Sequence, residues 1–214
     1  MTNLLWLMPR KSRAAHLKMN TFPKTHLHPA EKAGALESRF RLLLQNPEKI
    51  LRNYICPGMT VLDLGCGTGY FTLEIAKLVG NKGMVVACDV QKGMLDILKR
   101  KLHSSEFRER IRVHHNSENT LNLTEKFDFI FAFYAFHEMK HIDRIIDDLR
   151  NIIKPGTLIF ISEQKFHVSK STFKTIIQKL ENIGFECCKR PGIFLSRTAI
   201  MKVKSHPPDQ TSSC

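Results

Sequence analysis

The sequence has no apolar run approaching 18 residues, which excludes a membrane-spanning helix. Its six cysteines (Cys56, Cys66, Cys88, Cys187, Cys188 and Cys214) form no C-x-x-C pair and therefore no zinc site of that type. They are expected to be reduced thiols in a cytosol-like compartment, with Cys187 and Cys188 on opposite faces of a strand. Acid is missing from residues 1–30, where Arg10, Lys11, Arg13, Lys18 and Lys24 contribute to a net charge of +13. No nucleic-acid recognition motif accompanies that charge, so a solvated basic surface is favoured over a nucleic-acid face. Residues 1–27 also lack apolar periodicity past Met8. They are expected to be a disordered start, an over-long start before Met19, or a mitochondrial transit peptide that would place the protein in the matrix.

What is present suits one α/β domain over residues 28–204, followed by a loose tail over 205–214. Hydrophobic residues make up 43% of the chain, enough for a core, and strand-like and helix-like segments alternate. Strands are expected at Val61–Leu64, Met84–Cys88, Ile111–His114, Phe127–Phe133, Thr157–Ser162, Phe185–Cys187 and Ser196–Lys204. Helices are expected over 30–54 (broken at Asn46-Pro47), 70–79, 90–103, 142–153 and 169–183.

The most informative stretch is Val61 to Phe71, VLDLGCGTGYF. It reads as a buried strand, a glycine turn and a helix start, half of a nucleotide-binding crevice. Glycine allows a ligand to come close to the backbone where a Cβ would intervene. The dinucleotide fingerprint G-x-G-x-x-G fails, because Tyr70 stands where the third glycine belongs. The pattern is instead Gly65-x-Gly67-x-Gly69, with Asp63 inside the preceding strand. A carboxylate there would repel a diphosphate and suit a cationic ligand. A second acid, Asp89, ends the next strand 20 residues after Gly69, at the spacing of a ribose-binding carboxylate.

Asp63-Leu64-Gly65-Cys66-Gly67-Thr68-Gly69 resembles motif I of the class I S-adenosylmethionine (SAM)-dependent methyltransferases. Lys154-Pro155-Gly156, feeding an apolar strand that ends in Glu163, is similar to a further feature of that family. The pairs His137-Glu138, Leu44-Gln45-Asn46-Pro47 and Phe166-His167-Val168 resemble the type 11, ubiquinone/menaquinone C-methyltransferase-like group. The resemblance implies a Rossmann-like, doubly wound sheet of seven strands, mostly parallel with an antiparallel last strand, in three α/β/α layers. It implies SAM as cofactor, bound by Asp63, Gly65, Cys66, Gly67, Thr68, Gly69, Asp89, Val90, Met94, Ser117, Glu118 and Phe133. Ser117 stands in the place of the usual adenine-binding acid and Glu118 follows it, so either side chain is a candidate for the adenine. The resemblance also implies a small-molecule methyl acceptor, N-terminal helices (28–57) covering the site, and Arg41, Tyr134, Glu138 and Glu163 as substrate contacts. His137, with His167 second, is the candidate general base, since histidine titrates near neutrality. Alternatives are an RNA- or protein-modifying methyltransferase and a non-catalytic SAM-binding protein, although N-P-P-Y is missing after the fourth strand.

His137-Glu138-Met139-Lys140-His141 also matches the zinc-peptidase pattern H-E-x-x-H. That chemistry needs both histidines on one helical face. Here strand-like residues lead directly into His137, which places it in a loop, so no metal site is expected. His114 and His115 alternate along a strand and cannot share a metal.

Overall fold

The computed structural model describes residues 45–204. The expectations for residues 1–27, the helical pattern over 30–44, Arg41 and the 205–214 tail lie outside these residues. Seven strands form one sheet: β1 (Thr60–Leu64), β2 (Met84–Asp89), β3 (Ile111–His115), β4 (Phe129–Phe133), β5 (Leu158–Gln164), β6 (Phe185–Lys189) and β7 (Ser196–Val203). Their order is β3-β2-β1-β4-β5-β7-β6. The first five are mutually parallel, and β7 runs antiparallel to both β5 and β6. The helices are α1 (Pro47–Leu51), α2 (Thr72–Val79), α3 (Lys92–Leu102), α4 (Ile142–Arg150) and α5 (Lys170–Glu181).

Strand periodicity assigns alternate residues to the two faces and so builds two cores. Val61, Val85, Phe129, Phe131 and Phe160 pack with α1, α2 and α3 through Leu51, Ile75, Leu95 and Leu98. Leu62, Val86, Ile130, Ile159 and Ile161 pack with α4 and α5 through Ile142, Ile145, Leu149, Phe173 and Ile177. The result is the three-layer α/β/α arrangement that the sequence implied. The α4 pattern shows why: Ile142, Ile145, Ile146 and Leu149 recur at helical spacing and are buried. Caps fix the starts of α1 and α5, where Asn46 accepts from the Lys49 N–H and Ser169 from the Thr172 N–H, each at 3.0 Å.

Several boundaries differ from the sequence expectation. The glycine turn extends through Phe71, so α2 begins at Thr72, not Tyr70. The fourth strand begins at Phe129, and just before it the Asp128 carboxylate accepts the Thr60 N–H at 2.9 Å. The helix expected to reach Ile153 ends at Arg150. β5 continues through Glu163 to Gln164. Cys187 and Cys188 do not alternate in burial: a register shift between Cys187 and Lys189 leaves both exposed at the edge of the sheet.

Candidate active site

The strand order reverses between β1, which pairs with β2, and its other neighbour β4. A parallel sheet opens a crevice at such a point, beyond the carboxyl ends of the strands. The crevice here is walled by the turns after β1, β2, β3 and β4.

The first wall is the glycine turn. Gly65, Gly67 and Gly69 have φ of +76°, +55° and +85°. A Cβ on Gly65 would lie 2.7 Å from the Cβ of Ala135, across the crevice floor. At Gly67 an added Cβ would meet no protein atom, so glycine leaves that space to a ligand. Gly69 lies outside the crevice lining, packed where a Cβ would strike Leu98 at 2.4 Å. We expect Gly65→Ala to destabilise the fold by roughly 2–5 kcal/mol, the left-handed conformation and the overpacked contact acting together. Denaturant unfolding measures this, and a cost below roughly 1 kcal/mol would mean the Ala135 wall yields freely.

Two buried acids flank the turn. Asp89 ends β2 and accepts the Gly67 N–H on Oδ2 (2.9 Å) and the Gln91 N–H on Oδ1 (2.8 Å). Those bonds use two of its roughly four acceptor positions, leaving it able to bind hydroxyl donors. Burial raises its pKa, with the two N–H donors opposing. Asp63, inside β1, accepts the Thr72 hydroxyl at 2.6 Å. Burial pushes its carboxyl up to about 7, against the Thr72 bond and with help from the Asp89 charge. Burial likewise raises the thiols of Cys66 and Cys88, keeping them protonated.

The remaining walls come from α3 and the turns after β2, β3 and β4. Val90, Met94 and Phe133 supply apolar lining. The Ser117 hydroxyl accepts the Asn119 and Thr120 N–H groups (3.2 and 3.1 Å), shaping the turn after β3. Glu118 pairs with Lys140 at 2.7 Å, tying that turn to the one after β4. Tyr134 leaves β4 with φ +61°, a conformation that persists only where surrounding contacts enforce it. Its hydroxyl shares a 2.6 Å hydrogen bond with Ser196 and accepts the Gln45 amide N–H at 2.5 Å, while the Tyr70 hydroxyl donates to the Gln45 carbonyl.

A short 3-10 turn, Phe136–Glu138, follows. It aims Glu138 into the crevice, whereas His137, His167 and Glu163 lie outside the lining. Glu163 is wholly buried, accepting the Phe136 N–H at 2.9 Å and His137 Nδ1–H at 2.6 Å. His137 Nε2 then stands 3.9 Å from Glu138 Oε1, and the exposed His167 ring lies 5.9 Å from the His137 ring. Burial alone would lower the His137 pKa, but the Glu163 bond and the neighbouring carboxylate charges raise it overall. Burial lifts Glu138 to about 7, with His137 opposing and Asp89 and Glu163 reinforcing. Met139, extended at φ −83° and ψ 113°, separates this turn from α4, and His141 sits exposed just before that helix. The two histidines of H-E-x-x-H therefore do not share a helical face.

Of the expected cofactor residues, all but Gly69 line one crevice, as do Tyr134 and Glu138. Gln91, Asn116, Lys140 and Gln164 line it as well, without a signal in the sequence that marks them. Gly67 with open space before it, buried carboxylates at two strand ends and the apolar Met94 and Phe133 together fit a cationic nucleoside. Such a ligand would favour the ionised form of Asp63. We expect SAM binding to release protons below pH 7 and affinity to rise with pH through that region, because the free carboxyl is protonated there and the bound one is not. Calorimetry in buffers of different ionisation enthalpy reads this directly; Asp63→Asn should abolish the release attributed to it.

Comparison with known proteins follows the same line. Residues 61–156 match the family described as a methyltransferase domain. The ubiquinone/menaquinone biosynthesis C-methyltransferase of Wigglesworthia glossinidia brevipalpis is 27% identical over 158 residues, 71% of this chain and 62% of that protein. The demethylmenaquinone methyltransferase of Symbiobacterium thermophilum is 27% identical over 176 residues, 76% and 68% respectively. The chain thus spans about six tenths of the length of the first of these relatives. A crystal structure of a SAM-dependent methyltransferase from Aquifex aeolicus superposes with a TM-score of 0.73 at 28% identity, covering 83% of this chain and all of that one.

Proposed function

We propose a function from this premise: the chain has the class I SAM-dependent methyltransferase fold, is distantly related to the ubiquinone/menaquinone methyltransferases, and has SAM as its cofactor. Our reading is that it is an enzyme transferring the SAM methyl group to a small-molecule acceptor by in-line displacement. The observation that carries it is the Asp89–Gly67 hydrogen bond at the strand-order reversal, which locks the glycine turn beside a carboxylate with acceptor positions to spare. Asp89 would hold ribose hydroxyls, Asp63 would face the positive end, and Met94 and Phe133 would offer the nucleoside an apolar wall. When bound, SAM supplies a methyl group on a sulfonium, already a strong electrophile. The protein then mainly aligns the acceptor and excludes water.

An acceptor that loses a proton on methylation needs a base, and in this reading Glu138, which lines the crevice, takes that role. The acceptor's proton would pass to the Glu138 carboxylate as the acceptor gains the methyl group and the methyl–sulfur bond breaks. His137 serves as a positioning residue: Glu163 holds Nδ1–H, which turns Nε2 toward Glu138. The names of the relatives refer to quinone biosynthesis, which supports a small-molecule acceptor over a macromolecule. The test is transfer of labelled methyl from SAM to a lysate, counted separately in small-molecule, RNA and protein fractions. Label in the small-molecule fraction is expected. Label confined to RNA or protein would replace the acceptor class, and SAM binding without any transfer would leave only a binding protein.

A further inference from the structure

Among the described residues, four large apolar side chains are exposed, and three of them meet at one place. Phe166 is 80% exposed, Phe194 55% and Leu195 42%, while Met84 lies at the opposite end of the sheet. Phe166 sits on the loop after β5 and the other two on the loop before β7. The Lys165 N–H donates to the Leu195 carbonyl at 2.9 Å, and Arg197 Nε–H to the Val168 carbonyl at 3.1 Å, which stitches the two loops side by side. Leu195 adopts φ +54°, an uncommon conformation for a leucine, on this exposed tip. Basic residues surround the tips: Lys165, Lys170, Lys189 and Arg190 are all exposed. Neither residues 164–180 nor residues 187–204 contain a single acid. The patch is continuous with the crevice mouth, because Gln164 lines the crevice and pairs with Ser196, which holds the Tyr134 hydroxyl.

We propose that this face docks on an anionic lipid bilayer, Phe166, Phe194 and Leu195 entering the headgroup boundary and the surrounding lysines and arginines meeting lipid phosphates. Apolar tips inside an acid-free basic rim are the composition that an anionic interface selects. Single-stranded nucleic acid also takes basic and aromatic groups, but it needs flat stacking faces, and Leu195 has none. Docking in this way would open the crevice at headgroup level; only that consequence rests on the methyl-transfer reading.

The test uses the full chain with equimolar phosphatidylcholine–phosphatidylglycerol vesicles and with pure phosphatidylcholine vesicles. The sequence has one tryptophan, Trp6, so F166W in a Trp6→Phe background reports from the patch alone. Anionic vesicles should shift its emission to the blue, and brominated phospholipid should quench it. F166S/F194S/L195S should weaken vesicle sedimentation by about tenfold or more, since each buried apolar side chain is worth about that factor. Its melting temperature should hold, because the three side chains are exposed. An unshifted F166W, or equal sedimentation of wild type and triple variant, overturns the proposal; the second result would assign binding to the basic residues 1–30. Quenching by single-stranded RNA but not by vesicles overturns it in favour of nucleic acid. SAM calorimetry on the same proteins separates the two readings: a wild type that binds vesicles but not SAM ends the methyltransferase reading and leaves the docking surface standing.

Discussion

Glu138→Gln is expected to slow methyl transfer by about 10²–10⁴-fold, the usual contribution of a general base, while SAM affinity stays within a few-fold. Glutamine keeps the shape of the crevice wall and loses the carboxylate's charge and its ability to accept a proton. The pH profile provides the sharper readout. With Glu138 lifted to about 7 by burial, the active carboxylate is the minor form in acid. At saturating SAM, where the Asp63-linked change in affinity no longer acts on the rate, the wild-type rate should therefore rise with pH up to about 7 and level off above it. That rising limb should vanish in Glu138→Gln. Glu163→Gln tests the positioning role of the pair behind: it weakens the hydrogen bond that raises the His137 pKa, so it should lower that pKa and slow transfer less than Glu138→Gln does. An NMR titration of the imidazole follows the first effect without any acceptor. Single-turnover transfer to the labelled acceptor fraction follows the second. A loss below threefold in Glu138→Gln would remove the base assignment.

Asp89→Ala should weaken SAM binding by about 100-fold or more and cost stability as well. The carboxylate does two things at once. It offers acceptors to the ligand, each charged hydrogen bond contributing about 1.5–3 kcal/mol, and it satisfies two backbone donors. Truncation leaves the Gly67 and Gln91 N–H groups without their partner, at about 1–3 kcal/mol for each donor that water cannot reach. The glycine turn then loses one of its bonds to β2, keeping those from the Gly65 and Cys66 N–H groups to the Cys88 carbonyl. Asp89→Asn keeps one carbonyl acceptor and should fall between wild type and alanine. Calorimetry gives the affinity and denaturant unfolding the stability. Wild-type affinity in Asp89→Ala would refute the assigned cofactor site.

The strand–glycine turn–helix unit and Asp89 were legible in the sequence because their chemistry is local. Glycine at 65, 67 and 69 is demanded by backbone conformation within a few residues, and the acid follows at a spacing set by one helix and one strand. The three layers were implied by the family resemblance rather than by strand periodicity, since strands such as Phe129–Phe133 are apolar at every position and buried on both faces. Boundaries slipped where long-range contacts shape an element's end, as at Asp128, whose carboxylate accepts the Thr60 N–H across 68 positions.

The wall of the crevice after β4 was set by tertiary contacts. His137 and Glu138 are neighbours, and sequence favoured the histidine because its ordinary pKa suits a base. The left-handed turn at Tyr134 and the 3-10 turn after it instead aim Glu138 into the crevice and give His137 to Glu163, 26 positions away. Burial then moves the carboxyl toward neutrality, and no composition or spacing reports burial in advance. The patch of Phe166, Phe194 and Leu195 was equally hidden, because each looks like a core residue until the sheet closes. Contiguous residues carry their geometry in the chain itself; desolvation and long-range pairing exist only once the fold has brought distant segments together.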